Sequence, residues 1–380
     1  MRLMLLLAVL GNLARPLPTG AEITIDYTRY YISGTNTISN SNPFSATNYD
    51  LVKQAINRLV ADPRLANHPI RRYFYDPNML AKVMLDAPKS QDGASSNQNY
   101  IHVNSNENLY YYLIELAHEF VHVDMSEKYS MSFDFSFLTA EQVAFQNLME
   151  EAFPSILNLW VRFTAPESPS DRQIRDHNWQ ITQNDIADAM RNDYIAAYPN
   201  YSADQINTMV LGEMFNDFMT RGNTYSIKVI PHNLKVNSWN NTFLIPEYAA
   251  YRERGEALLR HMWDHLASMM PFQLPAHMTY DYFRNQFISN AEYWATVAQE
   301  PDKSDSILYW INYDAEGNAR AKLAAEPEAE RRYDYLPRED EARLNRVFQE
   351  IDPHFIPVDT TRTSYQRALQ DIMDKQNTGR

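Results

Sequence analysis

Cysteine is absent from the 380-residue chain, and glycine is scarce, with nine in total. Without cysteine the protein has no disulfide framework, no thiolate metal site and no cysteine nucleophile. Any metal ion must therefore be held by His, Asp or Glu side chains. The scarcity of glycine, together with long amphipathic stretches, favours a mostly helical protein.

Positive charge is also in deficit, because 34 Lys and Arg residues face 48 Asp and Glu residues, for a formal net charge of −14. No basic stripe offsets this excess. Non-specific binding to nucleic acid and docking on an anionic membrane surface are therefore not expected. A hydrophobic fraction of 44% is ordinary for a globular protein and excludes wholesale disorder.

Long apolar runs are missing as well, so no membrane span is predicted. The run from Leu3 to Leu10, which follows Met1-Arg2, is too short to cross a bilayer. With Thr19-Gly20-Ala21 as a small-residue cleavage site, residues 1–21 resemble a signal peptide. This predicts a secreted or periplasmic protein. The alternatives are a buried first element of the mature domain and a cytoplasmic location.

The length favours two lobes, and the strand and helix patterns given below predict an α+β lobe over residues 22–165 and a mainly helical lobe over residues 166–380. Pro166 to Ser170 is predicted to be the linker. Strands are expected at 23–27 and 99–103, with a possible pair in 223–245, and loops at 33–48 and 91–97. Helices are expected over residues 49–60, 105–125, 140–163, 171–196, 203–220, 247–269, 279–299 and 339–350.

The helix predicted over residues 105–125 carries the most information. Asn104 is its expected N-cap, with Glu107 as the capping-box partner. Apolar side chains occur nearly all round it, which is typical of a buried helix. His118, Glu119 and His122 are polar residues within that helix. Buried polar groups need partners, and a metal ion would satisfy both imidazoles.

His118 and His122 are four residues apart, so their imidazoles lie about 40° apart on a helix and can reach one zinc ion. Glu119 follows the first histidine, about 100° round the helix. From there a carboxylate can take a proton from a metal-activated water and pass it to the leaving amine. This is the H-E-x-x-H arrangement of metallopeptidases. The alternative without a metal is two hydrogen-bonded core histidines beside an incidental glutamate.

Zinc needs a third protein ligand, and a glutamate from the following helix is the natural choice. On the apolar stripe of that helix, Glu151 is predicted at the border and Glu150 near the solvent side, which favours Glu151. Glu151 can also be a solvated flank residue. Glu292, far away in sequence on another predicted helix, remains an alternative ligand.

Other histidines give weaker signals. His261 and His265 are also four residues apart, but no Glu follows the first, so a solvated or half-buried helix face is predicted. Glu115, one turn before His118, can hold a ligand imidazole or make an ordinary local contact. One isolated histidine can stabilise an oxyanion, and the sequence does not choose among His68, His102, His177, His232, His277 and His354.

The segment from Leu113 to Val123 together with Glu151-Ala152 resembles zincins, and more narrowly gluzincins and poorly characterised bacterial putative metallopeptidases. The resemblance implies a zincin-like catalytic lobe with a small mixed sheet and an active-site helix. It also implies zinc held by His118, His122 and Glu151, with Glu119 as general base. Asp124 stands where such helices usually carry an apolar residue, and Ser155 where gluzincins usually carry Asp. The segment Glu292-Tyr293-Trp294-Ala295 is similar to one in other secreted zincins, including lethal-factor-like ones.

The sequence thus predicts a hydrolase that cleaves peptide or protein substrates with Zn²⁺ as its cofactor. Two other classes stay open. One is a metal-binding but catalytically inactive module, and the other is a helical interaction protein without metal.

Overall fold

The structure is a computed structural model that describes residues 32–34, 46–75, 82–86, 94–97, 100–104, 109–129, 137–165, 180–221, 246–290, 336 and 338–360. Four short strands lie in the N-terminal part: β1 (Ile32–Gly34), β2 (Lys82–Asp86), β3 (Ala94–Asn97) and β4 (Tyr100–Asn104). The helices are α1 (Ala46–Ala61), α2 (Pro69–Tyr75), α3 (Leu109–Tyr129), α4 (Ala140–Thr164), α5 (Gln180–Ala197), α6 (Ala203–Arg221), α7 (Ala249–Arg252), α8 (Gly255–Met269), α9 (Tyr280–Ser289) and α10 (Arg338–Ile351).

The predominantly helical character predicted from the sequence is confirmed. α3 and α4 are the longest described helices, with 21 and 25 residues. A capping box between Thr139 and Gln142 starts α4, since each side chain bonds the backbone N–H of the other residue. Pro154 lies within α4, which continues on both sides of it.

The four strands form one sheet in the order β1-β2-β4-β3. β1–β2 and β2–β4 pair in parallel, whereas β3 and β4 are antiparallel. Val83, Ile101 and Val103 are fully buried, as expected for strands with apolar side chains directed into a core. α3 packs against β3 and β4, so the helix with His118 and His122 is supported by the sheet.

Three local predictions around the sheet are wrong. The loop expected over 33–48 contains most of β1 and the start of α1, and the loop expected over 91–97 contains β3. β3 reads Ala-Ser-Ser-Asn, which has little strand propensity, and its pairing with β4 overrides that preference. Asn104 is not a helix N-cap, because it ends β4 opposite Asp86 and α3 begins only at Leu109.

α3 and α4 form the centre of the molecule. They pack against each other, and α1 and α2 cover α3 on one side. Helices that follow residue 166 join the same core, because α6 and α8 pack on α4 while α10 packs on α3. Gly255, the first residue of α8, allows a close approach, since a Cβ there would lie 2.8 Å from Leu138 and 2.9 Å from Gln142.

Two predicted helices end or break early. The helix expected over 247–269 is interrupted at Glu253 and Arg254, which separate α7 from α8. The helix expected over 279–299 ends at Ser289, and Asn290 leaves the helical conformation with its N–H bonded to the Gln286 carbonyl. The other predicted helices correspond to α1, α3, α4, α5, α6 and α10, with shifted ends.

Several predictions fall outside the described residues: the signal peptide, the strand at 23–27, the linker at 166–170 and the strand pair in 223–245. Among the helices that the structure describes, none combines the length and apolar character needed to cross a membrane.

Candidate metal centre

His118 and His122 lie on α3, whose sequence contains neither Gly nor Pro and is buried on nearly all sides. His118 is 8% exposed and His122 is half-buried. Their Nε2 atoms are 3.0 Å apart, so both rings direct the same nitrogen at one point. The spacing of one helical turn therefore brings the two imidazoles together as the sequence predicts.

Glu151 reaches this point from α4. Its carboxylate oxygens lie 3.9 Å from His118 Nε2 and 3.8 Å from His122 Nε2. The three ligand atoms all lie within 4.8 Å of one another. Atoms that bind one tetrahedral zinc at about 2.0–2.1 Å are separated by about 3.3 Å from each other, so small side-chain shifts suffice for joint coordination. His118, His122 and Glu151 can hold a metal ion.

Burial keeps both imidazoles neutral in the metal-free protein. It lowers the pKa of His122 to about 4, and it lowers the pKa of His118 well below the ordinary value, helped by repulsion from His122. A metal ion binds only the neutral imidazole, so a lowered pKa removes competition from protons at neutral pH. Both histidines are thus prepared for coordination over most of the physiological range.

The carboxyl groups show the opposite trend. Burial raises the pKa of Glu151 well above the ordinary value, and the nearby charges of Glu119 and Glu150 raise it further. Three glutamates in a buried region repel one another, and a bound cation would reverse that repulsion. The electrostatics therefore favour a cation at this position. They also place the Glu119 carboxyl close enough to act on Glu151.

The prediction that Glu150 lies near the solvent side of its helix is wrong, because Glu150 is only 6% exposed. α4 is buried on nearly all sides, because α3, α6 and α8 pack around it. The sequence pattern showed only one apolar stripe and so predicted an exposed face that does not exist. The Glu150 carboxylate accepts a hydrogen bond from Gln146 Nε2 at 2.8 Å. The alternative that Glu151 is a solvated flank residue is wrong for the same reason. Glu292 lies outside the described residues.

We expect Glu150→Gln to stabilise the metal-free protein at neutral pH. Burial raises the pKa of Glu150 to about 8, from an ordinary value of 4.5. A carboxyl with a raised pKa in the folded state contributes full stability below the unfolded pKa, and that stability is lost as pH rises towards 8. The glutamine variant lacks this loss, so its advantage over wild type should grow from pH 5 to pH 7 to on the order of 3 kcal/mol.

Urea unfolding of both proteins in the presence of a chelator, at several pH values, measures this difference. Glu253→Gln serves as the control, because Glu253 is an exposed glutamate between α7 and α8. A constant difference between wild type and Glu150→Gln across this pH range would contradict the assignment.

The far side of the His118 ring contacts α4 one to two turns after Glu151. Asn158 Nδ2 lies 3.3 Å from His118 Nδ1, and the Pro154 carbonyl accepts a hydrogen bond from the ring. Sequence reasoning missed Asn158. The available signal was a polar residue seven positions after Glu151, which is two helical turns along nearly the same face.

The structure explains why Asp124, a charged residue, occupies a position of α3 where an apolar residue is usual. It is 2% exposed and accepts hydrogen bonds from Arg72 of α2 and from His265 Nε2 of α8, the latter at 2.6 Å. Its neighbour on α3, Tyr129, hydrogen-bonds His261 Nδ1 at 2.9 Å. His261 and His265 thus lie on a half-buried helix face, one of the two situations predicted, and link α8 to α3.

Among the isolated histidines, His68 has a defined structural role. Its Nε2 lies 2.9 Å from the Ala117 carbonyl, and its Nδ1 accepts the Ile70 N–H at 3.1 Å. Burial lowers its pKa to about 4. Both ring nitrogens are therefore engaged within the core, which excludes His68 as the oxyanion stabiliser. His177 and His232 lie outside the described residues.

Two imidazoles and one carboxylate form a three-ligand set that leaves positions for water or substrate on a bound metal ion. Within the part of the chain that the structure describes, this is the only such group of histidine and acidic ligand atoms. Comparisons with protein-family models, with curated proteins and with solved structures find no significant match to the chain.

Proposed function

We propose that this chain is a zinc-dependent metallopeptidase of the zincin type, with α3 as its active-site helix. The observation that carries the proposal is the convergence of His118, His122 and Glu151, whose ligand atoms lie within 4.8 Å of one another. This is the ligand set that the H-E-x-x-H helix and the glutamate of the following helix predict. The small sheet beside α3 supports a zincin-like lobe, because that lobe places its active-site helix against strands.

The donor set favours zinc. Two neutral imidazoles and one carboxylate are typical ligands of catalytic zinc, whereas magnesium and calcium prefer oxygen ligands alone. Three protein ligands, rather than four, are typical of catalytic sites, since a structural zinc site is closed by its fourth protein ligand. The lowered pKa values of His118 and His122 keep this set available at neutral pH.

Zinc, when bound, supplies a Lewis acid that polarises the scissile carbonyl and acidifies the attacking water. Glu119 then acts as the general base, taking a proton from that water and returning it to the leaving amine as the peptide bond breaks. Its position directly after His118 brings it close to the centre without making it a ligand. The Glu119 charge contributes to the raised pKa of Glu151, which supports a Glu119 carboxyl close to the ligand group.

Metal content of purified protein tests the proposal. We expect about one zinc per wild-type chain after reconstitution, and loss of that zinc in Glu151→Ala because only two imidazoles remain. Glu292→Ala is expected to retain zinc. Mass-spectrometric metal analysis after desalting against a weak chelator measures the ratio of metal to protein.

The variants also decide between the candidate third ligands. If zinc is lost in Glu292→Ala and kept in Glu151→Ala, the third ligand is Glu292. That result would contradict the role of Glu151 that its position beside His118 and His122 supports. Wild-type protein that holds no zinc after reconstitution would overturn the proposed function and leave His118 and His122 as core histidines.

A further inference from the structure

Asn158 is a buried polar residue of α4, 8% exposed, with no part in the ligand set. Its amide nitrogen lies 3.3 Å from His118 Nδ1. Its amide oxygen is buried without a hydrogen-bond partner. A buried acceptor left unpaired is destabilising, so this arrangement needs an explanation.

An amide nitrogen that faces His118 Nδ1 conflicts with metal binding by the same ring. An amide nitrogen is a donor, so it can bond Nδ1 only if Nδ1 carries a lone pair. The proton of the neutral ring would then be on Nε2, the nitrogen that faces His122 and Glu151. A protonated Nε2 cannot bind a metal ion. The oxygen and nitrogen of an amide have nearly the same shape, and their assignment depends on the hydrogen-bond network.

We propose that Asn158 is a positioning residue for His118, with its amide turned so that Oδ1 accepts a hydrogen bond from His118 Nδ1–H. This orientation leaves the Nε2 lone pair directed at the metal position, and the amide nitrogen then takes the place where the oxygen has no hydrogen-bond partner. The ring also bonds the Pro154 backbone, one turn earlier on α4, and because proline has no N–H a ring nitrogen must be the donor to that carbonyl.

The arrangement also links the two helices that build the site. α4 supplies Glu151 as a ligand and, two turns later, Asn158 as the partner that orients a ligand of α3. Metal-binding histidines almost always donate their second N–H to an oxygen acceptor, and losing that acceptor typically weakens metal binding 10–100-fold. The inference rests on the proposed metal site but not on peptide hydrolysis.

Zinc affinity of full-length variants, measured by competition with a chromophoric chelator at pH 7, tests the role. We expect Asn158→Leu, which keeps the size but removes the acceptor, to bind zinc 10–100-fold more weakly. Asn158→Asp keeps an acceptor and lacks a donor, so it is expected to retain at least the wild-type affinity. Asn207→Leu is the matched control, because Asn207 is a buried asparagine of α6 whose amide oxygen bonds Arg191.

The aspartate variant separates loss of the acceptor from loss of the amide group. If Asn158→Asp binds zinc as weakly as Asn158→Leu, an acceptor at this position does not orient His118 and the inference is overturned. If the amide instead donates to Nδ1, it opposes metal binding, so Asn158→Leu would bind zinc at least as tightly as wild type, which would also overturn the inference. If Asn207→Leu lowers the zinc affinity to the same extent, the effect comes from losing any buried amide. That result would also overturn the inference.

Nitrogen NMR of the His118 ring in metal-free wild type gives a second test, which does not depend on variant folding or on added charge. We expect the Nδ1–H tautomer, assigned by the loss of its signals in His118→Gln. The Nε2–H tautomer would overturn the inference. If wild type binds no zinc, the proposed function fails, while the tautomer still decides whether Asn158 accepts from His118.

Discussion

Replacing Glu119 by glutamine is expected to lower peptide hydrolysis roughly 10²–10⁴-fold while the protein keeps its zinc. Glutamine has nearly the same size but cannot accept the proton of the attacking water. The change leaves His118, His122 and Glu151 in place, so the ligand set is intact. Turnover of a quenched-fluorescent peptide library by zinc-loaded protein measures the effect, and metal analysis of the same samples confirms occupancy.

Glu127→Gln is the matched control for this substitution. Glu127 lies on the same helix, two turns after Glu119, and bonds Tyr73 and Arg72 rather than the ligand group. Its variant should cleave peptides at the wild-type rate. Equal activity in Glu119→Gln and wild type would remove Glu119 as the base. A zinc-loaded wild type that cleaves no peptide would favour the catalytically inactive metal-binding module.

The ligand group could be predicted because its signals are local. Two histidines one turn apart share a helix face regardless of the surrounding fold, and an apolar pattern all round α3 indicates burial. The prediction of Glu151 as the third ligand also required the apolar pattern of α4, because Glu151 lies at the border of its apolar stripe. The structure brings these three residues together, although the stripe argument misplaced Glu150.

The residues around the ligand group could not be predicted, because their partners are distant in sequence. Asp124 is buried between Arg72 and His265, which lie 52 and 141 residues away along the chain. Asn158 contacts His118 across 40 residues. A polar residue in a buried helix indicates that some partner exists, but its identity depends on how α2, α4 and α8 pack on α3.

The errors in secondary structure have a related cause. β3 has weak strand propensity and is held by its ladder with β4, whereas Asn104 has good capping chemistry and is held in β4 by β2. In both places a tertiary interaction outweighs a local preference worth about 1 kcal/mol. At Thr139 the capping box forms, because there the local sequence pattern and the packing of α4 favour the same helix start.

Zinc is expected to raise the free energy of unfolding by about 4 kcal/mol when its free concentration is 1,000 times Kd. The folded state alone assembles the ligands, since His118 and His122 come from α3 and Glu151 from α4. Urea unfolding with and without zinc measures the gain. His122→Ala should abolish it. His261→Ala is the matched control, because His261 belongs to the other pair of histidines four residues apart and should keep the zinc-dependent gain.

The pH dependence of this gain follows from the metal-free site. Glu151 has a raised pKa and must lose its proton to bind zinc, so affinity should increase as pH rises towards that pKa. The imidazoles do not contribute near neutrality, since the pKa of His122 is lowered to about 4 and that of His118 lies well below its ordinary value. Calorimetry in buffers of different ionisation enthalpy should therefore detect proton release from carboxyl groups, with the part due to Glu150 absent in Glu150→Gln.

Two outcomes would contradict these expectations. A gain in unfolding free energy that survives in His122→Ala would place the zinc elsewhere. A gain that increases with pH only through about 6.5, where ordinary histidines titrate, would show that the ligand imidazoles are solvated rather than buried.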